Sequence, residues 1–97
     1  MSDTDRLNNI LSFTALQAKN LFYDKLKSVV LFGSYARGDY DEESDIDIMI
    51  LADIDVSEAG DYTRLLRDRI YGLELEYDCV LSLCVVSEEN YNKFKDI

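Results

Sequence analysis

Two aspartates two residues apart, Asp45 and Asp47, are the side chains of this sequence best placed to do chemistry. They fall where Ile46, Ile48 and Ile50 alternate with Asp45, Asp47 and Met49, a period of two that predicts a strand over Asp45–Asp53 with two unlike faces. On such a strand the two aspartates share a face with Cα atoms ~6.5 Å apart. Carboxylates at that spacing can converge on one hard cation, and Mg²⁺ prefers oxygen ligands. A third carboxylate would complete a two-metal site, in which one ion activates an attacking hydroxyl and the other holds a triphosphate. Asp78 is the natural candidate. The segment Glu76–Val86 reads as a strand on which Tyr77, Cys79, Leu81, Leu83 and Val85 share one face, and Glu76, Asp78, Val80, Ser82 and Cys84 the other. Glu76, on the same face as Asp78, is its competitor.

The second element of chemistry is Gly33-Ser34, at the end of a short apolar run. Glycine lets the backbone approach a phosphate closely, because no Cβ intervenes. Ser34 adds a hydroxyl and an amide N–H at the same place. If a helical turn starts there, its free N–H groups point at an anion. Each feature also has a plain structural reading. Gly-Ser alone is a common turn, alternating aspartates can be the polar face of an edge strand, and Arg37 or Asp78 alone can be a solvated surface residue. The combination is harder to obtain by chance: a strand, Gly33-Ser34, ten residues, then Asp45-x-Asp47 on a second strand.

The elements that must position these residues are legible from periodicity. Leu7, Ile10, Leu11, Ala18, Leu21 and Phe22 form one apolar stripe at helical spacing, predicting a helix over Leu7–Lys25 capped by Asp3, Thr4 or Asp5. Ser28–Phe32 reads as a buried strand ended by Gly33, and Ser34–Ser44 as a polar loop. Ser57 is a plausible cap for a helix over Glu58–Tyr71, with Gly72 at its end. Ser87 could cap a final short helix carrying Tyr91 and Phe94. The resulting order, α-β-β-α-β-α, predicts an α/β or α+β fold: a small mixed sheet of about three strands flanked by helices. The abrupt end at Lys95-Asp96-Ile97 suggests a missing tail.

With 97 residues and no proline the chain is expected to form one domain, residues 1–97. Its 20 acidic against 10 basic residues give a net charge of -10, and it lacks the basic footprint that binding nucleic acid directly requires. An acidic surface suits a basic protein partner better. A triphosphate could bind it only with metal ions bridging the repulsion. Cys79 and Cys84 fit neither a zinc ribbon nor a C-x-x-C pair and read as buried free thiols, compatible with a reducing cytosol. Apolar runs fall far short of the ~20 residues of a spanning helix, so no membrane segment is expected. The absence of histidine excludes histidine-based acid–base and nucleophilic schemes.

Gly33-Ser34, ten residues, then Asp45-x-Asp47 resembles the signature of the DNA polymerase β-like nucleotidyltransferase superfamily. The fuller run Gly33-Ser34-Tyr35-Ala36-Arg37-Gly38-Asp39, followed by Ser44-Asp45-Ile46-Asp47, resembles the minimal nucleotidyltransferases, the MntA-like antitoxins. The resemblance implies that Asp45, Asp47 and a third aspartate on a later strand, matched by Asp78 through strand position only, bind Mg²⁺ as two ions. It implies that Gly33 and Ser34 contact the triphosphate of ATP, with Arg37 in phosphate contact or loop support. It further implies transfer of AMP to a tyrosine of a HEPN-domain ribonuclease toxin, for which the chain would be the antitoxin. Two other readings remain: a module that neutralises a toxin by covering it, and nucleotidyl transfer to a small molecule.

The acids at Asp39, Asp41, Glu42, Glu43, Asp45 and Asp47 would repel a bare triphosphate. Calorimetric titration with ATP is therefore expected to give little heat in EDTA and a saturable signal in Mg²⁺. Equal affinity in both buffers contradicts the expectation.

Overall fold

A computed structural model describes residues 2–95. Helix α1 (Asp3–Phe22) leads through a single 3-10 turn into strand β1 (Leu26–Phe32). A five-residue helix α2 (Gly33–Arg37) and a loop precede strand β2 (Ile46–Ala52). A second 3-10 turn (Val56–Glu58) opens helix α3 (Ala59–Tyr77), followed by strand β3 (Leu81–Ser87) and helix α4 (Glu88–Lys95). The expected order of major elements holds, with α2 added inside what the sequence presents as a loop. Asp96 and Ile97, where a missing tail is suspected, lie outside the described residues.

The sheet is mixed, in the order β1-β2-β3. β1 runs antiparallel to β2, and β3 parallel to it. β2 is therefore central, and its alternation sets the architecture. Ile46, Ile48, Ile50 and Ala52 are wholly buried, whereas Asp47, Met49 and Leu51 are half-buried on the other face. α1 and α3 cover the isoleucine face, contributing Ile10, Ala18, Phe22, Leu66, Ile70 and Leu73 to the same core. Register places Phe32, Val30 and Ser28 of β1, and Ser82, Cys84 and Val86 of β3, beside Asp47, Met49 and Leu51. Val30, Phe32 and Cys84 are exposed, so this second face lies open. The buried hydroxyls are satisfied: Thr14 donates to the Ile10 carbonyl at 2.8 Å, and Ser87 accepts from the Asn90 amide at 3.0 Å, the expected cap of α4.

Five local expectations are corrected. α1 starts earlier than the apolar stripe, because Ser2 is its cap and accepts from the Asp5 amide at 3.1 Å. Asp55 rather than Ser57 opens the next helical segment, through a capping box with Glu58. Gly72 does not end α3, which continues to Tyr77. A single glycine costs a helix only ~1 kcal/mol, and here Leu73 beyond it is buried in the core. Glu76 and Asp78 are not strand residues. Glu76 is in the last turn of α3, and Asp78 caps that helix in the left-handed conformation at φ 49°. The alternation read over 76–86 is genuine only from Leu81 onward. The cysteines are free but not buried as expected: Cys84 is exposed on the open face, and Cys79 is half-buried. Burial pushes the Cys79 thiol up, against an opposing pull from Arg6.

The turn from α3 into β3 is held by side chains. Glu74 accepts from the Leu81 amide at 3.0 Å, Arg67 donates to the Leu81 carbonyl at 2.9 Å, and the two side chains pair at 3.5 Å. Arg6 of α1 donates to the Tyr77 carbonyl at 2.7 Å, closing the helix end from the other side. Glu74→Ala removes the acceptor of a part-buried amide and is expected to lower stability by about 1–3 kcal/mol. A lower urea midpoint at unchanged m-value checks this.

Candidate active site

The site is built at the open-face end of β1 and β2. β1 delivers the chain to Gly33, which adopts φ 74°, a conformation open to glycine at little cost. Its second constraint is spatial. A Cβ built at Gly33 would collide with the Asp47 carboxylate, whose Cγ would lie 2.9 Å away. The Asp47 carboxylate thus occupies the space that a side chain at position 33 would fill. α2 begins at the same residue, and its N-cap, Phe32, offers no side-chain acceptor to the first amides. The start of α2 and the Asp47 carboxylate meet at Gly33. The short helix that the sequence allowed for only conditionally does start there.

α2 ends at Gly38 in the left-handed conformation, φ 85°, with the Gly38 amide donating to the Ser34 carbonyl at 2.9 Å. Arg37 Nε then pairs with Asp39 Oδ2 at 3.3 Å, both side chains well exposed. This contact lies within the loop. Tyr35 and Tyr40 stack across the loop, ring centroids 4.1 Å apart and 8° from parallel. The approach to β2 is knitted by Asp41 and Ser44. The Ser44 hydroxyl accepts from the Asp41 amide at 3.0 Å and bonds Asp41 Oδ1 at 3.2 Å, while the Glu43 amide donates to that same oxygen at 2.9 Å. The Ile46 amide donates to the Val80 carbonyl at 2.9 Å, tying the strand's start to β3. These bonds fix the chain on either side of Asp45.

Asp45 is exposed and Asp47 half-buried. Among the described residues neither carboxylate has a hydrogen-bond or ion-pair partner in the protein, unlike Asp39, Asp41, Asp61 and Glu74. Carboxylates left without a protein partner are available to a hard cation. Two carboxylates with open positions fit Mg²⁺ of the kind bound by one or two carboxylates together with substrate phosphates.

Gly33 and Asp47 are brought into contact, while Asp45 stands one residue before β2, outside the strand expected over Asp45–Asp53. Asp78 is carried by the end of α3 and not by a strand. Exposed at the α3 cap, it lines a groove with Arg6, Tyr35, Tyr40, Ser44 and Tyr77. No set of three His, Cys, Asp or Glu side chains among the described residues is grouped to hold a metal. The strand that would have carried Asp78 to the site begins three residues later. Sequence reading overlooked Asp41 and Phe32. The Asp41-x-x-Ser44 spacing is a turn signature that could have been found; the placing of Phe32 beside Asp47 depends on register.

The tightest constraint is at Gly33. Gly33→Ala adds left-handed strain of order 1–3 kcal/mol and forces Asp47 aside. It is expected to remove metal-dependent nucleotide binding while leaving the circular dichroism spectrum unchanged. Wild-type binding by this variant contradicts the close approach.

The chain matches the family described as nucleotidyltransferase domain over residues 14–96, a span that includes Gly33, Ser34, Asp45 and Asp47. It is similar to proteins of Methanocaldococcus jannaschii named as candidate protein adenylyltransferases. It is 46% identical to MJ0604 over 76 residues, 77% of this chain and 68% of that protein. It is 37% identical to MJ1305 over 84 residues, 87% of this chain and 57% of that protein. With MJ1379 it shares 46% identity over 55 residues, 54% of this chain and 55% of that protein. No solved structure matches it. A glycine seated against the second of two unpartnered aspartates, in a chain matched over most of its length, places this protein in the nucleotidyltransferase domain family.

Proposed function

We propose that this chain transfers AMP from ATP to a hydroxyl of a protein acceptor, with Mg²⁺ as the cation, acting as the antitoxin of a HEPN-type ribonuclease toxin whose tyrosine is the acceptor. The observation that carries the transfer chemistry is the seating of Asp47 against Gly33, beside an unpartnered Asp45 and the start of α2. The relatives' names describe protein adenylyltransferases, which supports a protein acceptor. The acceptor's identity rests on the resemblance of the Gly33–Asp47 run to minimal nucleotidyltransferases. The net charge of -10 favours a basic partner over nucleic acid. Among the described residues no helix is long and apolar enough to cross a membrane, and the free thiols suit a cytosolic setting.

Asp45 and Asp47 are the residues that would hold the cation. Bound there, it would neutralise phosphate charge and lower the pKa of the acceptor hydroxyl. The chain's own contribution is placement. Gly33 and Ser34 admit the triphosphate close to the backbone, and the amides opening α2 meet its negative charge. Asp41 and Ser44 hold the loop that leads to Asp45 and Asp47. In the transfer the acceptor hydroxyl gives up its proton to solvent, its oxygen bonds to the α-phosphorus, the bond from that phosphorus to the bridging oxygen of the β-phosphate breaks, and pyrophosphate leaves. Alignment of nucleophile and leaving group in line is the main gain available to a site without a histidine.

Asp45→Asn and Asp47→Asn are each expected to reduce transfer at least a hundredfold with the fold intact, since neither side chain is part of the core. Mass spectrometry of the purified partner toxin after incubation with ATP and Mg²⁺ checks this. An AMP adduct with wild type and none with either variant is expected. Neutralisation of the toxin without any adduct would instead favour a purely binding antitoxin.

A further inference from the structure

On the open face of the sheet, the neighbours of Asp47 are fixed by register. Phe32 of β1 lies on one side of it and Ser82 of β3 on the other. Just ahead of β3, the Val80 carbonyl accepts from the Ile46 amide. The strand positions paired with Asp47, from which a third carboxylate could be supplied, therefore carry a phenyl ring and a hydroxymethyl group. The other acids close in sequence are turned to different tasks. Asp39 pairs with Arg37, and Asp41 is occupied by Ser44 and the Glu43 amide. Asp78 faces the groove around Arg6, and no three such side chains are grouped.

We propose that this chain holds its divalent cation with two carboxylates only, Asp45 and Asp47, and that Ser82 occupies the sheet position where a third would complete the site. The inference rests on the metal-site reading above and narrows it. A two-carboxylate site leaves most of the cation's coordination to water and to substrate phosphates, as is usual for Mg²⁺. Free cation is then held weakly, and the triphosphate itself completes the binding. Ser82 is half-buried on a face open to solvent, so a carboxylate there could be accommodated without entering the core.

The test is calorimetric titration of the purified protein with Mn²⁺, alone and with a non-hydrolysable ATP analogue. Wild type is expected to bind Mn²⁺ at least tenfold more tightly with the analogue present. Ser82→Asp should tighten binding of Mn²⁺ alone about tenfold, whereas Ser82→Asn, of the same shape without the charge, should not. Asp78→Asn should stay within twofold of wild type, and asparagine tolerates the left-handed cap. If Asp78→Asn weakens Mn²⁺ as much as Asp45→Asn does, or Ser82→Asp leaves affinity unchanged, the two-carboxylate assignment is overturned while the metal site stands. If Asp45→Asn and Asp47→Asn do not weaken Mn²⁺ binding, the metal-site reading itself fails, and this inference with it.

Discussion

The site depends on one close approach, that of the Asp47 carboxylate to the backbone at Gly33. Two independent demands meet at that residue. The turn from β1 into α2 needs a positive φ, and the neighbouring strand needs the space where a Cβ would stand. Glycine satisfies both, and no other residue does so without moving either the turn or the carboxylate. The consequence is chemical. The start of a helix and a carboxylate, which attract opposite charges, are held side by side, an arrangement that matches the charges of the group proposed to bind there. A metal–triphosphate complex has that character.

The one-sided sheet is what leaves this corner accessible. The isoleucine face of β2 is sealed by α1 and α3, and burying it stabilises the fold at roughly 25 cal/mol per Å² of apolar surface. The opposite face is shared by Val30, Met49, Leu51 and Val86 with Ser28, Ser82 and Asp47. Parallel pairing of β2 with β3 requires a long crossover, which α3 supplies. The return of that crossover is anchored by Glu74 and Arg67 gripping both backbone groups of Leu81. That anchor fixes β3 in the register that sets Ser82 beside Asp47.

Much of this was determined by the sequence itself. Alternation in Ile46–Ile50 defined the central strand and put Asp47 on the face opposite the isoleucines, because a pleated strand has a period of two wherever it lies; Asp45 stands one residue before the strand. The spacing from Gly33-Ser34 to Asp45-x-Asp47 marked the site, since a close turn and a paired-carboxylate strand are both local features. The order of major elements and the mixed, three-stranded sheet followed from the same periodicities.

Tertiary structure decided the remainder. Whether residues 76–80 continue a helix or begin a strand depends on where α3 runs out of core to cover; Leu73 is buried, Tyr77 packs against the core, and Arg6 of a distant helix closes the end. Alternation in so short a stretch fits either state, which is why Asp78 reads as a strand residue from sequence and stands at a helix cap in the fold. The side chains that flank Asp47, Phe32 and Ser82, are set by the register of three strands far apart in the chain. Register is a property of pairing, and a one-residue slip would exchange every face. For that reason the sequence determined which strand carries Asp47, and only the assembled sheet decided what stands beside it.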